Sequence, residues 1–150
     1  MAYASWHVDY NKIIRDKYPE IFEAKGIKAD IQVVSDQKQL ILLLWEKLEE
    51  ELAELDAAIK EDNMEKMLEE AADVREVRER LRQLLLTINI DLDPSFSNIV
   101  TAIGRADRNI KRYVTQENKD IEAKLAQIQL HKRTEKWWFD KWLLLISTDS

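Results

Sequence analysis

The chain has no cysteine among its 150 residues, which excludes disulfides and any thiolate metal site. That absence agrees with a reducing compartment, and a cytoplasmic location is the expectation. Only two glycines and two prolines punctuate the backbone. With abundant Ala, Leu, Ile, Glu, Lys and Gln, this favours long helices with short connections. No run is apolar and long enough to cross a bilayer, and no basic stretch leads into an apolar leader at the start. No membrane partner is expected. The two histidines, His7 and His131, lack a spaced second ligand and take no catalytic role.

Charge is unevenly spread around a net of −6. From Glu46 to Arg80 there are 14 acidic and 6 basic residues, whereas Arg105 to Lys141 holds 10 basic and 6 acidic ones. Nucleic-acid binding calls for a basic stripe, so an acidic first half argues against it. The split suits a site that pairs a metal-binding acidic face with cations for phosphate. Mutual attraction of the two halves is the plainer alternative.

Within the acidic half, Glu51/Glu54 and Glu70/Asp73 form two pairs spaced by three, one on each of two successive helical segments. Residues three and four apart share a helix face. On the first segment Ile41, Leu44, Trp45, Leu48, Leu52, Leu55 and Ile59 recur at the helical period and define an apolar stripe. Glu51 falls about 50° from the stripe centre at 100° per residue, and Glu54 falls at its edge. On the second segment Met67, Ala71, Val74, Val77, Leu81, Leu84 and Ile88 make the stripe. Glu70 lies inside it and Asp73 at its border. Carboxylates aimed at a helix–helix interface are costly unless neutralised. A divalent cation would serve, since Mg²⁺ takes oxygen ligands from a few carboxylates plus substrate phosphates. A network with Arg75 and Arg78 would serve as well.

The whole reads as one all-α domain over 1–150, a bundle of about four to five helices. Residues 1–36 form a short irregular or extended arm, 37–90 the acidic helix pair, and 91–150 the C-terminal helices. Pro19 opens a short helical turn ending at Gly26, and 31–34 are extended. Asp36 and Gln39 suggest a capping box for the first long helix, and Asp62-Asn63 a break after it. Asp93-Pro94 opens the third helix, which carries Phe96, Ile99, Val100, Ile103, Ile110 and Tyr113. A fourth helix from about Gln116 carries Ile121, Leu125 and Ile128. Trp137, Trp138 and Trp142 suit a core or an oligomer interface.

The stretch Tyr10-Asn11-Lys12-Ile13-Ile14-Arg15-Asp16-Lys17-Tyr18-Pro19-Glu20 resembles the N-terminal signature of MazG-like nucleoside triphosphate pyrophosphohydrolases, in particular their phosphoribosyl-ATP pyrophosphohydrolase-like branch. Residues 47–54, Lys-Leu-Glu-Glu-Glu-Leu-Ala-Glu, resemble the family's K-L-x-E-E-x-x-E, and residues 69–74 its E-E-x-A-D-V. The resemblance runs in order over roughly residues 10–80. It implies an all-α fold in which Glu51, Glu54, Glu70 and Asp73 hold Mg²⁺, or Mn²⁺ in its place, with Glu50 an outer-shell or extra ligand. The implied reaction converts a nucleoside triphosphate to monophosphate and pyrophosphate, a clearance of non-standard nucleotides, with Glu51 and Glu54 as catalytic residues. The implied assembly is a homodimer or homotetramer.

Lys12, Arg15, Lys17, Lys111 and Arg112 are candidates for the triphosphate. Asn109-Ile110-Lys111-Arg112-Tyr113 resembles an N-x-x-(K/R)-Y stretch of some family members, which adds Asn109 to the substrate side. Trp137-Trp138 stand where that branch tends to carry two glycines, and Arg75 and Arg78 stand at its usual Leu positions. These departures support an alternative, a catalytically inactive helical-bundle relative that acts as an interaction module.

Overall fold

The computed structural model describes residues 7–15, 17–87, 95–135 and 142–149. The chain is mostly helical, as expected, with five α-helices, an extended N-terminal segment and a small three-stranded sheet among the described residues. In order these are β1 (His7–Arg15), α1 (Tyr18–Ala24), β2 (Lys28–Val33), α2 (Gln37–Lys60), α3 (Met64–Thr87), α4 (Ser95–Asn109), a π-helical continuation (Ile110–Thr115), α5 (Lys119–Glu135) and β3 (Trp142–Asp149). Packing divides the chain into two compact units, one from Met1–Leu40 with Lys132–Ser150 and one from Ile41–His131. No described helix is long and apolar enough to cross a membrane.

The first unit is built on the sheet, ordered β1-β3-β2, with both pairings antiparallel. Here the expectation of helices to the C-terminus is corrected, because Trp142–Asp149 is the central strand. Short apolar runs such as Trp142-Leu143-Leu144-Leu145-Ile146 suit a buried strand as well as a helix, and periodicity does not separate the two. Paired along both edges, β3 buries Trp142, Leu143 and Leu145. Ile14, Leu143 and Leu145 form the small core, with Tyr18, Phe22, Ala29 and Ile31 against it. Pro19 lies in the first turn of α1, and Gly26 follows the helix at φ +69°, where a Cβ would be strained.

The second unit is helical. Asp36 opens α2 by accepting the Lys38 amide at 3.0 Å. After α2, Asp62 turns the chain at φ 54°, and Asn63 caps α3 through the Lys66 amide at 3.2 Å. Most of the predicted stripes are buried, namely Ile41, Leu44, Leu48, Leu52 and Leu55 on α2 and Met67, Ala71, Val74, Val77, Leu81 and Leu84 on α3, while Trp45 and Ile59 are half-buried. Ile88, Asp93-Pro94 and Trp137-Trp138 lie outside the described residues.

α4 runs through Gly104 without a break. It buries Ile99, Ala102 and Ala106 and exposes Phe96 and Val100, and Tyr113 of the π-turn is exposed as well. The helix then widens into the π-turn, and Gln116 and Glu117 reverse the chain in the left-handed region at φ 48° and 60°. α5 therefore starts at Lys119 rather than at Gln116.

Candidate metal centre on the acidic helix pair

The tight turn at Asp62-Asn63 brings α3 back so that Glu51 of α2 meets Glu70 and Asp73. One oxygen from each carboxylate lies within 4.8 Å of the others. Around an octahedral Mg²⁺ adjacent ligands stand about 3.0 Å apart and opposite ones about 4.2 Å, so the three side chains would draw closer together to share one ion. Such oxygen-only donors suit a hard divalent cation rather than zinc or copper. The three residues could hold a metal ion.

Their surroundings are consistent with that. Glu51 has a side chain only 12 % exposed, and one of its oxygens, Oε2, is buried without a hydrogen-bond partner. Glu70 Oε2 is in the same condition. Burial pushes the Glu51 carboxyl above the usual range, Lys47 acts against that rise, and the charge of Glu54 adds to it. Lys47 Nζ stands 3.4 Å from Glu51 Oε1, one helical turn earlier on α2. An unmet buried acceptor costs about 1–3 kcal/mol, which a bound cation would relieve.

Glu54, the fourth predicted ligand, is not part of this close group. It occupies the exposed rim, as its place at the stripe's edge implies. Its carboxyl is also raised, first by partial burial and next by the Glu70 carboxyl beside it. Glu50 is exposed on α2 and lies outside the group.

Arg75 and Arg78 are engaged elsewhere. Arg75 forms a forked pair with Glu122 of α5 at 3.3 Å, and Arg78 Nε lies 2.9 Å from Asp107 of α4. That second contact is an ion pair without hydrogen-bond alignment, since Nε counts as unpartnered on geometry. Arg105 pairs with Glu49 and Asn109 donates to Asp56 at 3.4 Å, fastening α4 to α2.

The substrate-side candidates divide between the units. Asn109, Lys111 and Arg112 line a cavity of about 480 Å³ at the π-turn, together with Arg108, Tyr113 and Gln116. The Arg112 guanidinium stands 5.1 Å from the Tyr113 ring centre, and Lys111 pairs with Glu117 at 3.3 Å. Arg108 was not anticipated from sequence. Its guanidinium folds over Gly104, where an added Cβ would come within 3.1 Å of it. Lys12, Arg15 and Lys17 belong to the first unit. Lys12 is exposed on β1, and Lys17 donates to the Thr134 carbonyl at 3.1 Å. Arg15 departs from the expectation of a phosphate ligand: it is 5 % exposed and stacked 3.9 Å from the centre of the Trp142 ring. A guanidinium so enclosed contributes to packing.

Among known proteins, no family model, no curated protein and no solved structure matches the chain.

Proposed function

We propose that the chain is a Mg²⁺-dependent nucleotide pyrophosphohydrolase, which splits a nucleoside triphosphate into monophosphate and pyrophosphate. The observation that carries this reading is the convergence of Glu51, Glu70 and Asp73 into one oxygen-lined site with two unmet buried acceptors. Glu51, Glu70 and Asp73 would hold the metal, and Mn²⁺ would serve in its place. When bound, the metal neutralises phosphate charge and makes a coordinated water more acidic. Glu54, at the rim beside Glu70, is suited to orient that water and take its proton, because its raised pKa makes it a better base than an ordinary glutamate.

Phosphoryl chemistry depends mostly on positioning and charge stabilisation, for which carboxylates, metal and cations suffice. The cavity at the π-turn gathers Arg108, Lys111 and Arg112 beside the Tyr113 ring, but the π-turn lies against Arg75 and Arg78, on the side of α3 away from Glu70 and Asp73, so these cations are not assigned to the phosphates of a metal-bound triphosphate.

The test is pyrophosphate release from a panel of ribo- and deoxyribonucleoside triphosphates with Mg²⁺. Turnover that is lost in Glu51→Gln supports the proposal. No turnover of any triphosphate, together with no metal uptake in calorimetry, overturns it and leaves the inactive interaction module as the reading.

A further inference from the structure

Resting on that proposed metal site, the geometry points to Lys47 as its built-in counter-ion, whose charge a divalent cation must compete with at Glu51. Lys47 is one helical turn before Glu51, and its ammonium contacts the oxygen Oε1 at 3.4 Å. Both side chains are largely enclosed, at 18 % and 12 % exposure, so water screens the pair poorly. Glu51 therefore divides its two oxygens: Oε1 faces the lysine, while Oε2 is buried with no hydrogen-bond partner.

A metal shared by Glu51, Glu70 and Asp73 brings two positive charges to a carboxylate already facing one. The lysine's flexible four-carbon stem lets the ammonium swing away without moving the helix backbone. Lys47 thereby does two things in the metal-free chain. It offsets part of the repulsion among the clustered acids, and it raises the metal concentration at which the site fills. Arg75 and Arg78 cannot take this part, because Glu122 and Asp107 already engage them.

The experiment is calorimetric titration of the full chain with Mg²⁺ and with Mn²⁺ at pH 8, without nucleotide. Lys47→Met and Lys47→Gln keep much of the stem and remove the charge. Each is expected to bind metal at least about tenfold more tightly than the parent, since a unit charge about 4 Å away repels a divalent ion by more than 1.4 kcal/mol. Lys47→Arg keeps the charge and is expected within about threefold of the parent. In the unaltered chain, Mg²⁺ should also shift the Lys47 ammonium resonance, a readout that needs no variant to fold. Equal or weaker affinity in the two neutral variants, or an unmoved resonance on saturation, overturns the role of Lys47 while leaving the metal site standing. Absence of metal uptake in every form overturns both.

Discussion

The two sides of α3 treat charge in opposite ways. One side carries Arg75 and Arg78, and each guanidinium has a carboxylate from another helix, Glu122 or Asp107. The other side carries Glu70 and Asp73, and the group that α2 brings to meet them is another acid, Glu51. Three residues separate the members of each pair, so the same helical geometry produced both arrangements. Partnered charges at the surface fasten helices and contribute about 0–1 kcal/mol each. Clustered acids with buried, unmet oxygens weaken the metal-free fold, and such local inconsistency is characteristic of functional sites. Opposite responses to mutation are therefore expected from the two sides.

Removing an acid should produce the largest effect. Glu51→Gln or Glu70→Gln takes a charge from the proposed cation site, and the proposed pyrophosphate release is expected to fall about a thousandfold, as befits several kcal/mol of lost charge stabilisation. Metal uptake should vanish in calorimetry, while the metal-free melting temperature does not drop. A variant that melted much earlier would show these acids to be structural, and the contrast between the sides of α3 would disappear.

Next in size is the opposite outcome on the arginine side. Arg78→Met should leave metal affinity within about twofold and lower stability by no more than about 1 kcal/mol, because Asp107 is half exposed. Urea unfolding and metal titration of the same sample measure both quantities. Loss of metal binding in Arg78→Met would mean that the two sides act as one network.

Acid–base behaviour sharpens the comparison further. Glu51 and Glu54 have carboxyls raised above the ordinary value of 4.5, chiefly through burial. An acid with a raised folded pKa favours the fold below its unfolded pKa, and that contribution is lost as pH rises through the folded value. Without metal, the stability of the parent relative to Glu51→Gln should therefore fall as pH climbs from 4.5 into the raised range. Unfolding by urea at a series of pH values measures the difference. A rise over the same interval would mean that Lys47 outweighs burial at Glu51.

How far the chain could be read beforehand follows from the range of each interaction. Glu51, Glu70 and Asp73 were legible because helical periodicity is local: knowing where Leu48 and Leu55 point fixes where Glu51 points. The edge position of Glu54 was legible for the same reason, and it is the acid that falls outside the close group. The partners of Arg75 and Arg78 were not legible, since each lies on a helix whose approach depends on tertiary packing. β3 was hidden twice over. Its apolar run has no period of its own, and its pairing with β1 joins His7 to Asp149, almost the full length of the sequence apart. Nor does anything in Gln116-Glu117 announce two consecutive left-handed residues, because neither is the glycine or asparagine that such backbone favours.

His7 gives the smallest expected effect, and it sets the sheet against the acidic helices. Its ring lies between two carboxylates, 2.5 Å from Asp149 and 2.8 Å from Asp9, with Lys28 of β2 in register with Asp149. The hydrogen bond to Asp149, followed by that to Asp9, raises the imidazole above its ordinary 6.5. For a base the stabilising form is the charged one, so this contribution is complete below 6.5 and is lost as pH rises through the folded value. The acids of α2 thus lose their contribution in the carboxylate range, and His7 loses its own above neutrality's acid edge, for opposite reasons: the acids by gaining an unwelcome charge, the histidine by losing a welcome one. Proton NMR of the ring should give a midpoint above 6.5, and His7→Gln should flatten the stability profile only in that upper interval. Because the site is exposed, salt should shrink the shift. A midpoint at or below 6.5 in low salt would mean that the ring does not clasp the ends of β1 and β3 as an imidazolium.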